Sequence, residues 1–261
     1  MKKSTITLTF GDVAENHTGM QRIGTPLDSG LTSEDILAVH RHLVEKYGAD
    51  EVAEVADLSS ALSEDYYDDR PLLLVVAGGV DLLMGSGYSE DLLEEQLQLP
   101  YDTKAWMKGR VVNKKARYNL CFSDEYSKPD YEQKRGTVIA YDDVPVLNSL
   151  RSALIRLLEE SIDCTVDLKV ESNYYYDVSS CYIGWHGDTE RRLVIGCRLG
   201  EEFPLSFRWY RNSTPVTDPI VYDLQHGDIY FMSVKCTGYD WKKRSALTLR
   251  HCAGELPIKE S

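Results

Sequence analysis

The stretch SNYYYDVSSCYIGWHGDTERRLVIGCRLGEEFPLSFRWY, residues 172–210, indicates the fold class. It divides into short runs, SNYYYDV, CYIGWH, RRLVIGCRLG and FPLSFRWY, which are rich in β-branched and aromatic residues and are separated by turn residues. The runs PIVYDL, DIYFMS and SALTLRH continue the series without any helical spacing. Many short strands at close intervals are typical of an antiparallel sandwich or barrel.

Upstream of these strands, the spacing of apolar residues predicts helices. The clearest is VPVLNSLRSALIRLLEES, residues 144–161, and SEDLLEEQLQL, residues 89–99, is a second. The segment LTSEDILAVHRHLVEKYG, residues 31–48, keeps its apolar residues at helical spacing and ends at Gly48, a stop signal. Before it, STITLTF, residues 4–10, alternates polar and apolar residues as a strand does.

The acidic stretch SEDYYDDRP, residues 63–71, interrupts this pattern and is interpreted as a domain boundary. We therefore expect an α+β protein with two parts. Residues 1–70 would form an N-terminal α/β extension of unknown role. Residues 71–261 would form a barrel with flanking helices.

Composition restricts the classes of protein to consider. The chain has 261 residues, of which 43% are hydrophobic and 27% are charged, as in ordinary globular proteins. Its net charge of -13 does not support sequence-independent binding to nucleic acid, which needs an electropositive surface. The six cysteines contain no CxxC pair, no secretory signal precedes them, and no run of apolar residues is long enough to span a membrane. These features predict a cytoplasmic protein with reduced thiols and no membrane partner.

One segment is locally basic in this acidic chain. KAWMKGRVVNKKAR, residues 104–117, carries six Lys or Arg residues with Trp106 among them. Such a strip suits an anionic substrate, and it is equally typical of a solvated face on an acidic protein. The sequence leaves both interpretations open.

The motif WHGD places His186 and Asp188 two residues apart where a strand enters a turn, so both side chains lie on one face. Imidazole and carboxylate together are two of the three ligands in the two-His-one-carboxylate site of non-haem Fe(II). A structural histidine beside a turn aspartate is the simpler alternative. Downstream, Arg244 and Arg250 lie six residues apart on an alternating strand, hence on one face. A small dicarboxylate such as 2-oxoglutarate would satisfy both guanidinium groups.

With these motifs in view, residues from about 72 to 254 resemble the AlkB-like Fe(II)/2-oxoglutarate-dependent dioxygenases. IGWHGDTER is similar to the family's IGxHxDxE pattern, and LQHGDIYFM is similar to its HGD turn and strand. RSALTLR resembles the terminal RxNLTFR strand, and NYYYD resembles the NxY segment. Several matches in the correct order are more specific than any one of them.

The resemblance implies a double-stranded β-helix, also called a jelly-roll barrel, with Fe(II) on His186 and Asp188 and 2-oxoglutarate as cosubstrate. In this interpretation Arg244 holds the distal carboxylate of 2-oxoglutarate, and Arg250 lies near its metal-side end. The residues implied to touch the cosubstrate or border the substrate are Asn173, Tyr175 (with Tyr176 as the alternative), Arg117 and Tyr118.

The third iron ligand is absent from its usual place, because SVKCTGYDWKK, residues 233–243, contains no histidine. The remaining candidates are His251, His226 and His17. Because His251 follows Arg250, strand alternation predicts that it points away from the pocket. Cys236 or a water molecule could also complete the coordination sphere.

The resemblance implies an enzyme that hydroxylates a C–H bond or removes an N-alkyl group. Its substrate would be nucleobase-like or another small molecule. Nucleic acid stays open as a partner, although the net charge argues against tight binding to long duplexes. The alternative is a catalytically silent barrel that acts as a binding module.

Overall fold

The structure, a computed structural model, describes residues 3–66 and 68–255, which form strands for the most part and a few helices. The α+β class expected from the sequence is confirmed. The strands are β1 (Thr5–Gly11), β2 (Val13–Glu15), β3 (Arg22–Gly24), β4 (Ala53–Asp57), β5 (Leu72–Val76), β6 (Lys104–Met107), β7 (Arg110–Asn113), β8 (Tyr118–Ser123), β9 (Val138–Ala140), β10 (Lys169–Tyr175), β11 (Ile183–His186), β12 (Val194–Gly200), β13 (Phe203–Arg211), β14 (Thr214–Pro215), β15 (Ile220–Leu224), β16 (Ile229–Met232) and β17 (Thr248–Ala253). The α-helices are α1 (Ser33–Tyr47), α2 (Gly79–Met84), α3 (Tyr88–Leu97) and α4 (Pro145–Ile162). None of these described helices combines the length and apolar character needed to cross a membrane.

Two sheets form the body of the molecule. The large sheet has eight strands in the order β4-β5-β16-β12-β1-β10-β8-β9, and the small sheet has the order β11-β17-β13-β14 with β15 also paired to β13. From β10 onward the chain passes back and forth between them, since β10, β12 and β16 join the large sheet and β11, β13, β15 and β17 join the small one. Apolar side chains of both sheets belong to one buried cluster, among them Leu73, Met232, Phe207 and Trp209.

The other face of the large sheet is covered by helices α1 and α4. On β1, Ile6, Leu8 and Phe10 are completely buried in the same apolar cluster as residues of α1 and α4, among them Ile36 and Leu150. The intervening threonines of β1 point to the opposite face, because side chains alternate along a strand. The alternation seen in STITLTF therefore separates a helix-covered face from an inner face that looks toward the small sheet.

The stop signal expected at Gly48 is confirmed at the end of α1. Thr32 caps α1 through a capping box with Asp35, and Gly48 ends the helix with a left-handed φ of 65°. At the start of α4, the backbone N–H groups of Val146 and Leu147 donate to the Glu95 carboxylate at 2.8 and 3.0 Å. These bonds satisfy donors that have no partner within the helix.

The interpretation of residues 1–70 as a separate extension does not describe this fold. β1 lies between β10 and β12 in the large sheet and pairs with both along its whole length. The described residues of the acidic stretch 63–71 lie between β4 and β5, which pair with each other in the same sheet. Strand pairing between distant segments cannot be inferred from a local change in composition, so the described residues on both sides of position 70 share one sheet and one core.

We expect Leu8→Ala to lower the free energy of unfolding by about 2–5 kcal/mol, because it opens a cavity beside a central strand. Leu97→Ala is the matched control, since 48% of Leu97 is exposed, and its cost should stay near about 0.5 kcal/mol. Urea denaturation followed by circular dichroism and tryptophan fluorescence measures both. Equal losses in the two variants, or separate transitions for the two signals, would contradict a core shared by β1 and the later strands.

Candidate metal centre

Three potential metal ligands meet at one end of the small sheet. His186 is the last residue of β11, Asp188 follows two residues later, and His251 lies on β17 directly opposite His186 in the strand register. One ligand atom of each side chain lies within 4.8 Å of the other two. The Asp188 carboxylate oxygen Oδ1 is 3.6 Å from Nε2 of His186 and 3.7 Å from Nε2 of His251.

The prediction that His251 points away from the pocket is wrong. His251 is buried in the cluster, whereas the Arg250 guanidinium packs on the other side of β17, 4.0 Å from the Tyr210 ring centre and 5.1 Å from that of Trp241. The alternation rule itself holds. It predicts the wrong face for His251 only when Arg250 is assumed to line the pocket, and Arg250 does not.

The other donor candidates lie outside this three-residue cluster. His226 contacts the Glu90 carboxylate through Nε2 and accepts a hydrogen bond from the Gly200 N–H. His17 lines the same cavity as the cluster but does not belong to it. The Cys236 thiol is buried and donates to the Leu72 carbonyl at 3.3 Å.

The surroundings of the two histidines suit metal binding in different ways. Nδ1 of His186 lies 2.8 Å from the Gly184 carbonyl, so an N–H at this atom donates there and Nε2 is left as the lone-pair nitrogen. Burial holds the pKa of His251 well below its usual range, and the charges of His186 and Arg191 act in the same direction. A neutral imidazole is the form that coordinates metal.

Close backbone packing fixes Asp188. Its N–H donates to the Thr237 carbonyl at 2.8 Å. A Cβ on Gly187 would lie 2.0 Å from the Gly238 carbonyl oxygen, so only glycine fits between the two ligands. The second carboxylate oxygen, Oδ2, faces Nε of Arg191 at 3.6 Å.

Arg191 in turn is anchored by a buried carboxylate. Its Nη2 forms an ion pair with Glu171 Oε2 at 2.7 Å, and the same oxygen accepts the Glu15 backbone N–H at 2.9 Å. Arg191 and Glu171 are 3% and 8% exposed, respectively. Burial therefore strengthens their interaction and keeps Asp188 in one orientation.

The three residues lie in a cavity of about 110 Å³ between the two sheets. Its large-sheet wall carries Thr7, Glu171, Asn173, Tyr175, Arg198 and Tyr230, all from the inner face. Gly196 makes room for this wall, since a Cβ there would lie 1.9 Å from the Tyr230 ring. The cavity thus joins a candidate metal site to a polar surface.

Arg198, on β12, is the most unusual residue of that wall. It is completely buried, and its Nη1 donates to the Thr7 hydroxyl. Its Nε and Nη2 atoms have no hydrogen-bond partner in the described part of the chain. Burial lowers the pKa of this guanidinium. An unpaired buried cation is costly, so an anion entering the cavity would relieve that cost.

Two of the residues expected to touch the cosubstrate line the cavity, and the alternative, Tyr176, does not. Asn173 and Tyr175 line the cavity, and Asn173 Oδ1 accepts a hydrogen bond from Arg117 Nε at 2.8 Å. Tyr176 instead donates through its hydroxyl to the Lys115 carbonyl.

Neither arginine of the terminal segment lines the cavity. Arg244 is exposed, and Arg250 packs on the outer face. Their six-residue spacing implied a common inward face, but Arg244 precedes β17 and therefore does not share its alternation. Arg198 was missed, although one signal marks it: a single charge in the apolar run LVIGCRLG.

The two residues expected to border the substrate also differ in position. Arg117 lines the cavity. Tyr118 stacks on Tyr176, with ring centres 4.5 Å apart. The first part of the basic strip, residues 104–113, forms the β6–β7 hairpin.

We expect His251→Ala to weaken Fe(II) binding by at least about a hundredfold, since even changes to residues that only support a ligand cost 10–100-fold. His226→Ala and His17→Ala are matched controls outside the cluster and should retain metal. Anaerobic calorimetric titration with Fe(II) measures all three variants against the wild type. Loss of the site in either control, with His251→Ala unaffected, would assign the third ligand elsewhere.

Comparisons with known proteins identify a relative of this chain but no activity. No family model matches the chain. It is 42% identical over 254 residues to "Uncharacterized protein R156" of Acanthamoeba polyphaga mimivirus, an alignment that covers 97% of this chain and 96% of the relative. At this identity over nearly the whole of both chains, the protein belongs to the same family as the mimivirus protein.

Proposed function

We propose that the protein is an Fe(II)/2-oxoglutarate-dependent oxygenase. The observation that carries this proposal is that His186, Asp188 and His251 share one cavity with the buried guanidinium of Arg198, whose Nε and Nη2 have no hydrogen-bond partner among the described residues. A metal site alone would suit several chemistries. A metal site beside a buried, unpaired cation favours one that also uses a small anionic cosubstrate.

The three side chains fit iron. Two imidazoles and one carboxylate form the facial set typical of non-haem Fe(II) oxygenases, which leaves positions for other ligands. Arg191 would hold the free oxygen of Asp188 while Oδ1 faces the metal position. When bound, iron and 2-oxoglutarate supply dioxygen chemistry that oxidises the substrate and converts 2-oxoglutarate to succinate and carbon dioxide.

The inner wall fits a dicarboxylate. Arg198 would bind the carboxylate remote from the metal, with the Thr7 hydroxyl holding the guanidinium in place. Tyr175 and Tyr230 are nearly fully buried on the same wall and would exclude water around that carboxylate. In this account Arg198, and not Arg244, binds the distal carboxylate of 2-oxoglutarate. Arg250 does not contact the cosubstrate.

The strand order supports the resemblance to a double-stranded β-helix. The four strands β16, β12, β1 and β10 of the large sheet would form one layer, and β11, β17, β13 and β15 would form the other. Seven of these eight strands come after α4 in the chain, and the position between β10 and β12 is filled by β1 from the N-terminal segment. The pairing of β1 with β12 brings Thr7 next to Arg198.

The reaction proposed is hydroxylation of a C–H bond or oxidative N-dealkylation of a nucleobase-like or other small substrate. The chain would position and shield the reacting groups while the metal and cosubstrate supply the oxidation.

We expect Arg198→Gln to weaken 2-oxoglutarate binding by about tenfold to a hundredfold, the effect of losing charge-assisted hydrogen bonds. Fe(II) stoichiometry should not change, because Arg198 is not in the metal cluster. Removing a buried unpaired charge should leave the ligand-free protein at least as stable as the wild type. Arg250→Gln is the matched control and should bind 2-oxoglutarate normally.

Calorimetry with 2-oxoglutarate and an assay of succinate release check this prediction. Equal weakening in both variants would remove Arg198 from the proposed role. Metal and cosubstrate binding without succinate release from any candidate substrate would favour the silent binding module over the enzyme.

A further inference from the structure

A second pocket adjoins the metal cavity. We call it the outer pocket, and its lining residues are His17, Met107, Asn113, Lys114, Lys115, Ala116, Arg117 and Asn119. His17 and Arg117 line both spaces. The outer pocket therefore lies beside the cavity that contains the candidate metal centre.

The outer pocket is cationic in a protein of net charge -13. Lys114, Lys115 and Arg117 all line it, and its lining contains no carboxylate. Arg117 donates through Nε to the neutral side chain of Asn173. The positive charge is thus concentrated beside the cavity that contains the candidate metal centre.

In the described part of the chain, the side-chain hydrogen-bond acceptor of Lys114 is neutral. Its Nζ donates to Asn16 Oδ1, a neutral acceptor, at 3.3 Å. Burial lowers the pKa of Lys114 to about 8, and Asp102 opposes that shift. The Asp102 oxygens are already engaged, since they accept hydrogen bonds from Asn16, Tyr131 and Thr137.

We propose that the outer pocket binds an anionic group, a phosphate or a carboxylate, of the oxygenase substrate and directs the rest of that molecule toward His186, Asp188 and His251. Lys114, Lys115 and Arg117 would bind the anion. Assigning the anion to a substrate rests on the proposed function. The anion site itself depends only on these three side chains and needs no metal.

The test is a titration of the metal-free full chain with inorganic phosphate at constant ionic strength, followed by backbone amide NMR shifts. We expect saturable shifts at residues 113–117 and at His17. Lys114→Gln and Lys115→Gln should each weaken binding by about tenfold, the effect of losing one charge-assisted contact. Lys115 is exposed, so its variant keeps the test valid if Lys114→Gln disturbs folding.

Lys104→Gln is the matched control. Lys104 is exposed on the same hairpin but does not line the outer pocket. Binding in this variant should match the wild type. Equal weakening in all three variants would show diffuse attraction to a basic hairpin and overturn the proposal.

A parallel titration with acetate separates the two sources of anion. Tighter binding of phosphate or of acetate, with the same variant pattern, supports the site and names the group it prefers. Absence of saturable shifts with both anions overturns it. Because the experiment uses metal-free protein without 2-oxoglutarate, its outcome does not depend on iron or cosubstrate binding. Shifts limited to the Arg198 wall of the cavity, with none at residues 113–117, would also overturn the proposal.

Discussion

The pairing of β11 with β17 is the constraint on which the site depends. It sets His186 opposite His251, and the following turn brings the Asp188 carboxylate within 3.7 Å of both rings. A shift of one residue in this register would turn His251 outward and bring Arg250 to the inner face. The close contact of Gly187 with Gly238 and the N–H bond from Asp188 to Thr237 oppose such a shift.

Two buried arginines, Arg191 and Arg198, line the cavity that contains the paired histidines. Arg191 joins Glu171 to the free oxygen of Asp188, so the carboxylate that faces the histidines is itself held. Arg198, farther along the inner wall, has no comparable acidic partner among the described residues, and its Nη1 donates to the Thr7 hydroxyl. Arg191 is therefore held by carboxylates of the protein itself, whereas Arg198 is available to an anionic ligand. This difference distinguishes a positioning residue from a candidate binding residue.

Local sequence patterns were sufficient for some of these features. Helical spacing located α1 and α4, Gly48 marked the end of α1, and the WHGD motif identified His186 and Asp188. The position of β1 could not be predicted, because its pairing with β10 and β12 joins segments more than 150 residues apart. Strand alternation counted from Arg250 predicts the wrong face for His251, because Arg250 itself lies on the outer face. Arg198 becomes informative only when the inner face of β12 is known.

X-ray absorption at the iron edge of the Fe(II)-loaded protein tests the central claim most directly. We predict scattering from two imidazole rings together with oxygen ligands, as expected for His186, His251 and Asp188. Addition of 2-oxoglutarate under anaerobic conditions should change the oxygen ligands and preserve both imidazoles. A spectrum with one imidazole or none would contradict a metal centre built on the β11–β17 pairing.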